Sequence, residues 1–557
     1  MTQEESRNLP RLLASGRLTR RQFIERAAAA GMSSSLALGI LQACGGRRSG
    51  GGGGGGASKL VVGVDTDIDD LDPMDFKSDA AYEAVIQTYE TLVANVLKPG
   101  PSGSMAASSD LVGVVAKSFS VSPDGTTYTF KVRPKVSFSN GTPVDAKALE
   151  YSFKRALLGP GYAALVMGML AVKDPSQLKA VDDSTFTITL EHPNPMAPKL
   201  LPLTVLDVMD PAASQKHATA QDQWANTYYK TSILGTGPYV RGATWQSGSQ
   251  YLFSPNPSYW NKGKVKNAGV LMKYIPSSDD RLLLIQRGDL DVAFGLPAKN
   301  LDKLRSDSSV KLWNFPSRNT NYIVLNEHVK PFDDVRVRQA IAYAIPYDTL
   351  IKNALYGFAK PLKSVVAAGM PTADTSAWPY TTDVARAKSL LAQAGLASGF
   401  RSTLSVSLSR AEDADVAVWI QSALGKIGIQ LDINKLSDAD YRAKQGADQL
   451  PMFIDYWYSW ANDPFYQLFW LCQSQNKSTN LSHYANAQMD SLIQQGIYNT
   501  NDSQREQLSK QAQAIFARDI PLILLYQRNF VLASRSNVSG VSVYPDQYLR
   551  FWELSKH

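Results

Sequence analysis

Residues 455–464 read DYWYSWANDP and place four large aromatic side chains within five positions. An Asn-Asp-Pro turn signal ends the stretch. Amphipathic aromatic side chains can fill a core or line a cleft. Tyrosine and tryptophan also suit the pleated surface of a strand, so the spacing alone favours a buried strand. The choice between core and cleft therefore depends on the rest of the chain.

Residues that could support catalysis or hold a metal are few and far apart in the sequence. No two of the five histidines have metal-ligand spacing. The histidines are His192, His217, His328, His483 and His557. No GxSxG, HExxH or paired-cysteine motif is present, which disfavours an exported hydrolase. We therefore expect no enzymatic activity, no bound metal and no organic cofactor, and we interpret Cys472 as a small buried hydrophobe.

The length of 557 residues is too great for a single hydrophobic core, so two or three domains are expected. Six arginines and three glutamates lie within residues 1–43. Without that segment, 51 basic and 47 acidic residues leave a net charge of +4, against +7 for the whole chain. This balance gives no reason to expect nucleic acid as a partner.

The N-terminal segment has the features of an export signal. Arg20 and Arg21 form a twin-arginine pair, and a weakly apolar run follows them. The sequence Leu-Gln-Ala-Cys then resembles a lipobox, in which Cys44 would be acylated and become the mature N-terminus. Residues 1–43 are therefore predicted to be a twin-arginine lipoprotein signal peptide, and 44–57 a glycine-rich tether. The predicted location is the periplasm or cell envelope, with a lipid anchor in a membrane.

The folded body begins with an apolar run over residues 59–64 that predicts a strand. Apolar residues recur at helical spacing over 80–96, and the glycine-, serine- and proline-rich residues 97–109 predict an exposed loop. From Leu111 the pattern changes to strands, with Pro-Asp-Gly and Asn-Gly as turn signals. Asp145 is expected to cap the helix that follows.

Residues 121–146 resemble the signature segment of the family 5 extracellular solute-binding proteins of ABC importers, a group that includes dipeptide and oligopeptide receptors. They read VSPDGTTYTFKVRPKVSFSNGTPVDA. Further motifs follow in the family order over about residues 60–550: GTGPY at 235–239, NPSYW at 256–260, RGDLDV at 287–292, PFDDVRVRQA at 331–340, DVARAKSLLAQAG at 383–395, and Asp463-Pro464 with Asn480, Tyr484 and Asp490. Such a series in one order is far more specific than any single motif.

The resemblance implies an α/β, periplasmic-binding-protein-like fold of type II, cluster C, with two lobes and an extra inserted domain. Lobe I would comprise residues 58–94, 231–313 and 528–557, the inserted domain 95–230, and lobe II 314–527. The ligand would be held between lobes that close about a hinge. The implied function is the capture of a small organic solute by a monomeric, lipid-anchored receptor, which delivers it to the permease and ATPase subunits of an ABC importer.

Peptide receptors of this family hold the peptide's α-amino group with an aspartate three residues before the acidic residue of a "DP" or "EP" pair. Aligning Asp463 and Pro464 with that pair places Trp460 at the aspartate's position, so the usual amine anchor is missing. A tryptophan face suits sugar CH groups, flat rings or a delocalised cation. We therefore expect a sugar, an aromatic or cationic solute, or a modified amino-acid or peptide derivative. A peptide receptor that uses another acidic anchor, Asp455 or the loop 65–72, is the alternative.

The predicted ligand-binding residues come from the aromatic stretch, the GTGPY turn, the acidic loop and the start of one predicted strand. They are Trp460, Tyr458, Asp463, Trp457, Thr236, Gly237, Arg318, Asn319, Asn321 and Asp67. The backbone amides of GTGPY could face the ligand or make a tight crossing of two chain segments. Arg318 could pair with a ligand carboxylate or lie on the surface. A sensing or chaperone lipoprotein built on the same fold also stays open.

Overall fold

The computed structural model describes residues 58–99, 105–544 and 546–557, so the predicted signal peptide, lipidation site and tether lie outside the described residues. The strands are β1 Leu60–Val64, β2 Val93–Pro99, β3 Met105–Gly113, β4 Ala116–Val121, β5 Thr127–Val132, β6 Leu178–Asp182, β7 Thr185–Thr189, β8 Tyr239–Gln246, β9 Gln250–Pro255, β10 Val270–Tyr274, β11 Val292–Ala293, β12 Val310–Leu325, β13 Ala359–Pro361, β14 Arg401–Ser407, β15 Gln430–Leu436, β16 Met452–Tyr458, β17 Leu522–Arg535, β18 Val538–Ser539 and β19 Ser555–Lys556.

The α-helices are α1 Asp79–Thr88, α2 Ala146–Leu158, α3 Ala163–Met169, α4 Ala197–Leu200, α5 Pro211–His217, α6 Asn226–Tyr229, α7 Ser278–Arg287, α8 Ala298–Leu304, α9 Val335–Ala344, α10 Tyr347–Thr349, α11 Val384–Gln393, α12 Ala411–Gly425, α13 Asp438–Gly446, α14 Pro464–Cys472, α15 Ala487–Tyr498 and α16 Asp502–Asp519. Short 3-10 turns span Pro175–Gln177, Thr204–Leu206, Lys262–Lys264 and Phe551–Glu553, and a π-turn spans Leu350–Ala354. In the described part of the chain, no helix is long and apolar enough to span a bilayer.

The main sheet has eleven strands, and two long strands in its middle connect its two halves. Its order is β15-β14-β16-β12-β17-β11-β1-β10-β9-β8, with β13 also paired to β17. In one half, β1 runs parallel to β10 and β11, and in the other half β14 runs parallel to β15 and β16. We call the β8–β11 and β1 side the first half and the β14–β16 side the second half.

The antiparallel pair β12 and β17 is 16 and 14 residues long, much longer than the other strands of the sheet. The pair continues through a register shift between Phe315 and Asn319 on β12. Beyond this irregularity, β12 also pairs with β16, whereas β17 contacts β11 near its other end. A bulge at such a position bends a strand locally. The two halves of the sheet are therefore joined across an irregular point in two shared strands.

Residues 116–189 form a separate four-stranded antiparallel sheet in the order β4-β5-β7-β6, with α2 packed on it. The predicted hairpin is confirmed, because Gly125 adopts a φ of +73° between β4 and β5. The predicted cap of α2 is also confirmed, since the Asp145 side chain accepts a hydrogen bond of 2.8 Å from the backbone N–H of Ala148. Arg155 on α2 pairs with buried Asp72, which fastens this segment to the acidic loop after β1.

The predicted helix over residues 80–96 is shorter than expected. α1 ends at Thr88, and β2 begins at Val93 and pairs with β3. The prediction of an exposed loop over 97–109 was wrong for the same reason, because β2 and β3 occupy most of it. The Thr88 carbonyl accepts a hydrogen bond of 3.0 Å from the N–H of Gly237, which passes over the end of α1. A non-local contact therefore replaces helix continuation at this point.

Candidate ligand-binding site

Two adjoining cavities, of about 230 and 210 Å³, lie between the two halves of the main sheet. Five residues line both cavities: Asp79, Arg410, Tyr456, Tyr458 and Tyr548. Asp79 begins α1 beside the first half, whereas Arg410 and the tyrosines of β16 belong to the second half. We refer to the two cavities together as the cleft.

The aromatic stretch forms the strand β16, and its side chains also line the cleft. Tyr456 and Tyr458 lie on one face of the strand, with ring centroids 6.4 Å apart. Trp457 projects from the other face and stacks on Trp470 at 5.4 Å. The three aromatic residues of β16 and Trp470 each border at least one cavity. The three on β16 are only partly buried. This segment is therefore both a strand of the main sheet and part of the wall of the cleft.

Trp460 follows β16 and joins an aromatic cluster from distant parts of the chain. Its ring stacks on Tyr82 of α1 at 5.4 Å, and Tyr82 packs against Tyr548 at 4.3 Å. The Nη2 atom of Arg318 donates a 2.8 Å hydrogen bond to the carbonyl of Ser459. Arg318 is thus engaged in holding the loop that carries Trp460, and desolvation lowers the pKa of its guanidinium to about 10.

Asp79 places an accessible carboxylate against this aromatic cluster. Its Oδ1 atom accepts a 2.6 Å hydrogen bond from the hydroxyl of Tyr548, which itself lies 2.5 Å from the hydroxyl of Tyr458. None of the ion pairs within 4.0 Å among the described residues includes Asp79. The surrounding protein desolvates this carboxylate and so raises its pKa above the ordinary range, and the charge of Asp65 raises it further.

Glu83 lies one helical turn beyond Asp79 and lines the larger cavity. The residue is 2% exposed, and its Oε1 atom accepts a hydrogen bond of 3.0 Å from Gln87. Its Oε2 atom is buried and has no hydrogen-bond partner among the described residues. Burial raises the pKa of Glu83 well above its ordinary value, because a desolvated carboxylate favours the neutral form. α1 therefore presents two carboxyl groups that lack a cationic partner.

The other carboxyl groups of the cleft are paired with arginine. The pairs are Arg410 with Asp413 (3.1 Å) and Asp455 (2.8 Å), Arg528 with Glu412 (3.1 Å), Arg442 with Asp438 (2.7 Å) and, more loosely, Arg281 with Asp65 (3.9 Å). The lining contains seven carboxyl groups and five cationic groups, a formal excess of two negative charges. Five of the seven carboxyl groups have an arginine partner, and Asp79 and Glu83 do not. The fifth cationic group of the lining, Lys77, takes part in none of these pairs.

Five of the ten predicted ligand-binding residues line the cleft, and five do not. The first group is Trp457, Tyr458, Trp460, Asn319 and Asn321. The second group is Thr236, Gly237, Asp463, Arg318 and Asp67. Asn319 and Asn321 follow the irregular point in β12, and the Nδ2 atom of Asn321 donates a 2.8 Å hydrogen bond to Oδ1 of Asn319.

The residues of the second group make contacts elsewhere in the protein. Asp463 is fully buried, caps α14 and pairs with Lys199 and Arg505 at 2.5 and 2.9 Å. The hydroxyl of Thr236 donates to Glu90 at 3.0 Å. A Cβ atom added to Gly237 would lie 2.6 Å from the backbone carbon of Thr88, so GTGPY makes the tight crossing of two segments. Asp67 accepts hydrogen bonds from Tyr251 and from the N–H of Gly248.

Sequence reasoning missed Asp79, Glu83, Arg410 and Tyr548. A weak signal existed for the two acids of α1, because their spacing of four residues places both on one helix face. Asp455, the suggested substitute anchor, is already held by Arg410 and by the side-chain amide of Gln445 at 2.8 Å. Cys472 is buried as predicted, and burial raises the pKa of its thiol.

Comparison with known proteins places this geometry in a family. A probable D,D-dipeptide-binding periplasmic protein of Escherichia coli K12 is 30% identical over 489 residues, which cover 86% of this chain and 90% of that protein. The glutathione-binding protein of the same strain is 28% identical over 505 residues, which cover 89% and 94%. The structure of an ABC transporter-associated periplasmic binding protein from Helicobacter pylori, in complex with the peptide STSA, aligns with a TM-score of 0.79 at 25% identity, over 90% of this chain and 98% of that one.

These likenesses confirm the predicted two-lobed α/β fold of the periplasmic binding proteins, with its third domain. Proteins of this kind are extracytoplasmic transport receptors, not enzymes. The model of the bacterial extracellular solute-binding proteins, family 5 (middle region), matches residues 110–479. The chain therefore belongs to the family 5 bacterial extracellular solute-binding proteins and is a substrate-binding component of an ABC importer.

Proposed function

We propose that the cleft binds a small solute through a cationic group and delivers it to an ABC permease and its ATPase. The observation that carries this proposal is the carboxylate of Asp79, which faces the cleft with a tyrosine hydroxyl as its partner and, among the described residues, no cation within 4.0 Å. A carboxylate in a cleft that closes around its ligand loses water, and it is stabilised when a positive charge pairs with it. With Glu83 neutral, the lining keeps a formal excess of one negative charge, which supports the same sign of ligand charge.

The aromatic side chains around Asp79 favour the same chemistry. The ring of Tyr82 lies 5.4 Å from that of Trp460 and 4.3 Å from that of Tyr548, whose hydroxyl bonds to the carboxylate. Aromatic faces attract cations through their quadrupole and also cover sugar CH groups and flat rings. Among the ligands expected from the sequence, a cationic solute or a cationic amino-acid or peptide derivative therefore agrees best with the site. A neutral sugar leaves Asp79 without a partner.

A peptide receptor with a different amine anchor is the second candidate. The relatives named for a D,D-dipeptide and for glutathione, and the structure containing the peptide STSA, favour peptide-like ligands in this family. When Asp463-Pro464 is aligned with the family's acidic-proline pair, Trp460 falls at the position of the amine-binding aspartate. Asp79 is accessible, whereas Asp455 is taken by Arg410. In this candidate, Asp79 pairs with the free amino group of the peptide.

The decisive experiment compares ligands that differ only in the charge on one nitrogen. Mass spectrometry first identifies any solute that copurifies with the protein. Calorimetry then measures binding of that solute, and of a dipeptide with its N-acetyl and N-trimethyl derivatives, to the wild type and to Asp79→Asn. We expect the charged ligands to lose at least about tenfold in affinity with Asp79→Asn, as for the loss of a buried charge partner.

The outcomes separate the two candidates. Binding of the N-trimethyl compound indicates recognition of a cation, whereas binding of the free-amine dipeptide alone indicates the peptide receptor. Asn321→Ala serves as a matched control, since Asn321 lines the same cleft without a charge. Equal affinity of the wild type and Asp79→Asn for every ligand, or a preference for the N-acetyl compound, would overturn the proposal of a cation at Asp79.

Domain organisation and membrane attachment are also proposed. We assign residues 58–94, 231–313 and 528–557 to lobe I, 95–230 to the inserted domain and 314–527 to lobe II, with closure about the shared strands β12 and β17. We further propose twin-arginine export through Arg20 and Arg21, lipidation at Cys44 and function as a monomer. A sensing role instead of transport is tested by uptake of the identified solute in a strain that lacks this gene, since normal uptake would argue against transport.

A further inference from the structure

Two histidines that are far apart in sequence meet on the surface of the structure, outside the cleft. His328 follows β12, and His483 lies in the loop between α14 and α15. Their rings stack with centroids 4.2 Å apart and an angle of 14° between the planes. Asp448, just before β16, contacts both. The two histidines have no metal-ligand spacing in the sequence, and the fold alone brings them together.

The potential donor atoms of the three residues converge. One ligand atom from each lies within 4.8 Å of the other two, and this is the sole such group among the described residues. Nε2 of His483 is 2.7 Å from Oδ1 of Asp448, and Nδ1 of His328 is 3.9 Å from its Oδ2 atom. A zinc ion about 2.0–2.2 Å from each donor requires donors roughly 3–3.5 Å apart. The two His–Asp separations lie on either side of that range, and the stacked rings must turn toward a common point before both nitrogens bind one ion.

A buried asparagine forms hydrogen bonds with two of the three residues and so helps to orient them. Asn326 is 1% exposed, and its Nδ2 atom donates a hydrogen bond of 2.6 Å to Oδ1 of Asp448. Its own Oδ1 atom accepts from the backbone N–H of His328 at 2.9 Å. One side chain therefore fixes the carboxylate and the start of the His328 loop together. Hydrogen-bonded support behind the ligands is characteristic of metal sites in proteins.

We propose that His328, Asp448 and His483 form a surface binding site for a divalent transition-metal ion. Two imidazoles and one carboxylate match the ligand preferences of Zn²⁺, Ni²⁺ and Cu²⁺, whereas Ca²⁺ and Mg²⁺ prefer oxygen donors. Water would complete the coordination, because His328 and Asp448 are exposed. The bound ion would link the loop after β12, the turn before β16 and the loop after α14.

This site is independent of the ligand-binding cleft. None of its three residues lines either cavity. Metal binding is therefore expected to stabilise the second half of the sheet without competing with the transported solute. The inference stands whether or not the proposed ligand chemistry is correct.

The test uses Zn²⁺ as the probe and the exported protein purified without a polyhistidine tag. Asp448 and His483 have φ angles of +58° and +60°, a region that asparagine tolerates well. The variants Asp448→Asn and His483→Asn therefore remove a ligand with little change in backbone preference, and His328→Gln removes the third. His217→Gln is the matched control, since His217 stacks on Tyr228 away from any carboxylate cluster.

Equilibrium dialysis with metal analysis should give one Zn²⁺ per chain for the wild type and for His217→Gln. Each of the three ligand variants should weaken binding at least about tenfold, and Zn²⁺ should raise the melting temperature of the wild type and of His217→Gln but not that of the ligand variants. Co²⁺ should give a visible absorption band that the ligand variants lose. Absence of saturable binding, or equal binding by wild type and Asp448→Asn with both folded by circular dichroism, would overturn the inference.

Discussion

The hydroxyl of Tyr548 donates a hydrogen bond of 2.6 Å to Oδ1 of Asp79, across 469 residues of sequence. Because Tyr548 uses its single proton in this bond, the hydroxyl of Tyr458, 2.5 Å away, must donate to Tyr548. A directed chain of hydrogen bonds thus runs from the second half of the sheet to the carboxylate on α1. The charge of Asp79 is therefore linked to residues on both sides of the cleft.

The first prediction concerns the pH dependence of ligand binding. Desolvation by the surrounding protein raises the pKa of Asp79, and the hydrogen bond from Tyr548 opposes that rise. A permanently charged ligand needs the ionised carboxylate, so its affinity should fall as the pH decreases through the pKa of Asp79. In Tyr548→Phe this decline should begin at a higher pH. Calorimetry with the N-trimethyl dipeptide over pH 4–8 measures the affinity of the wild type and of Tyr548→Phe. The same dependence of affinity on pH in both proteins would contradict the prediction.

Trp460→Ala tests the aromatic wall. Loss of the ring that stacks on Tyr82 should weaken ligand binding by about tenfold or more, as truncation of a central aromatic anchor does. The matched control is Trp419→Ala, because Trp419 is 36% exposed on α12 and lines neither cavity. Affinity for the copurified ligand should change in the first variant alone, and an unchanged affinity in Trp460→Ala would remove Trp460 from the site.

Glu83→Gln should stabilise the protein at neutral pH. Burial keeps Glu83 protonated in the folded protein at pH values where the same group in the unfolded chain is ionised. Its contribution to stability therefore falls as the pH rises above the ordinary pKa of glutamate. Glutamine has the same shape but does not bind or release a proton. The free energy of unfolding in urea should therefore rise by about 1–3 kcal/mol at pH 7.5 and change little at pH 4.

Glu506→Gln provides the comparison for this prediction, since Glu506 is exposed on α16 and pairs only with Lys510 one turn away. Its substitution should alter the free energy of unfolding by less than about 0.5 kcal/mol. An equal gain for Glu83→Gln at both pH values would show that proton binding is not the cause.

Asp463→Asn separates a structural role from a role in binding. The buried carboxylate neutralises Arg505 and Lys199, and asparagine keeps the helix cap but not the charge. Removal of one partner from a buried ion pair costs about 3–5 kcal/mol of stability. Thermal and urea unfolding should show that loss, while affinity for the copurified ligand stays within about threefold. A large loss of affinity without a loss of stability would restore Asp463 to the ligand site.

Membrane attachment is checked by labelling cells with a palmitate analogue. The wild type should be labelled and found in the membrane fraction, whereas Cys44→Ala should be unlabelled. Arg20→Lys with Arg21→Lys should block export through the twin-arginine route. Cys472→Ala is the control for loss of a cysteine, because Cys472 is buried in the folded body. Labelling of Cys44→Ala would refute lipidation at that residue.

The features that the sequence predicted correctly are those with local causes. The hairpin at Gly125 and the cap at Asp145 depend on residues within a few positions of each other. The family motifs also identified the fold, because each is a short local segment and all of them follow the order found in the family. Short-range chemistry of this kind can be read from one segment at a time.

The features that the sequence did not predict depend on long-range pairing. The end of α1 at Thr88 is set by the segment that carries Gly237, and the contact of His328 with His483 is set by the positions of their loops. Asp455, which the sequence suggested as an anchor for the ligand, is instead paired with Arg410. No periodicity in the sequence indicates which acid keeps a cationic partner and which does not.

The irregular point in β12 has a mechanical consequence. Asn319 lies opposite Tyr458 on β16 and Arg528 on β17, so three cleft-lining residues share one level beside the register shift. A ligand bound there lies close to the proposed hinge between the two halves. In the proposed closure about these strands, displacements at that level would be small and would grow in proportion to distance along each half. A membrane partner that touches the outer ends would therefore detect an occupied cleft as a large movement without contacting the ligand.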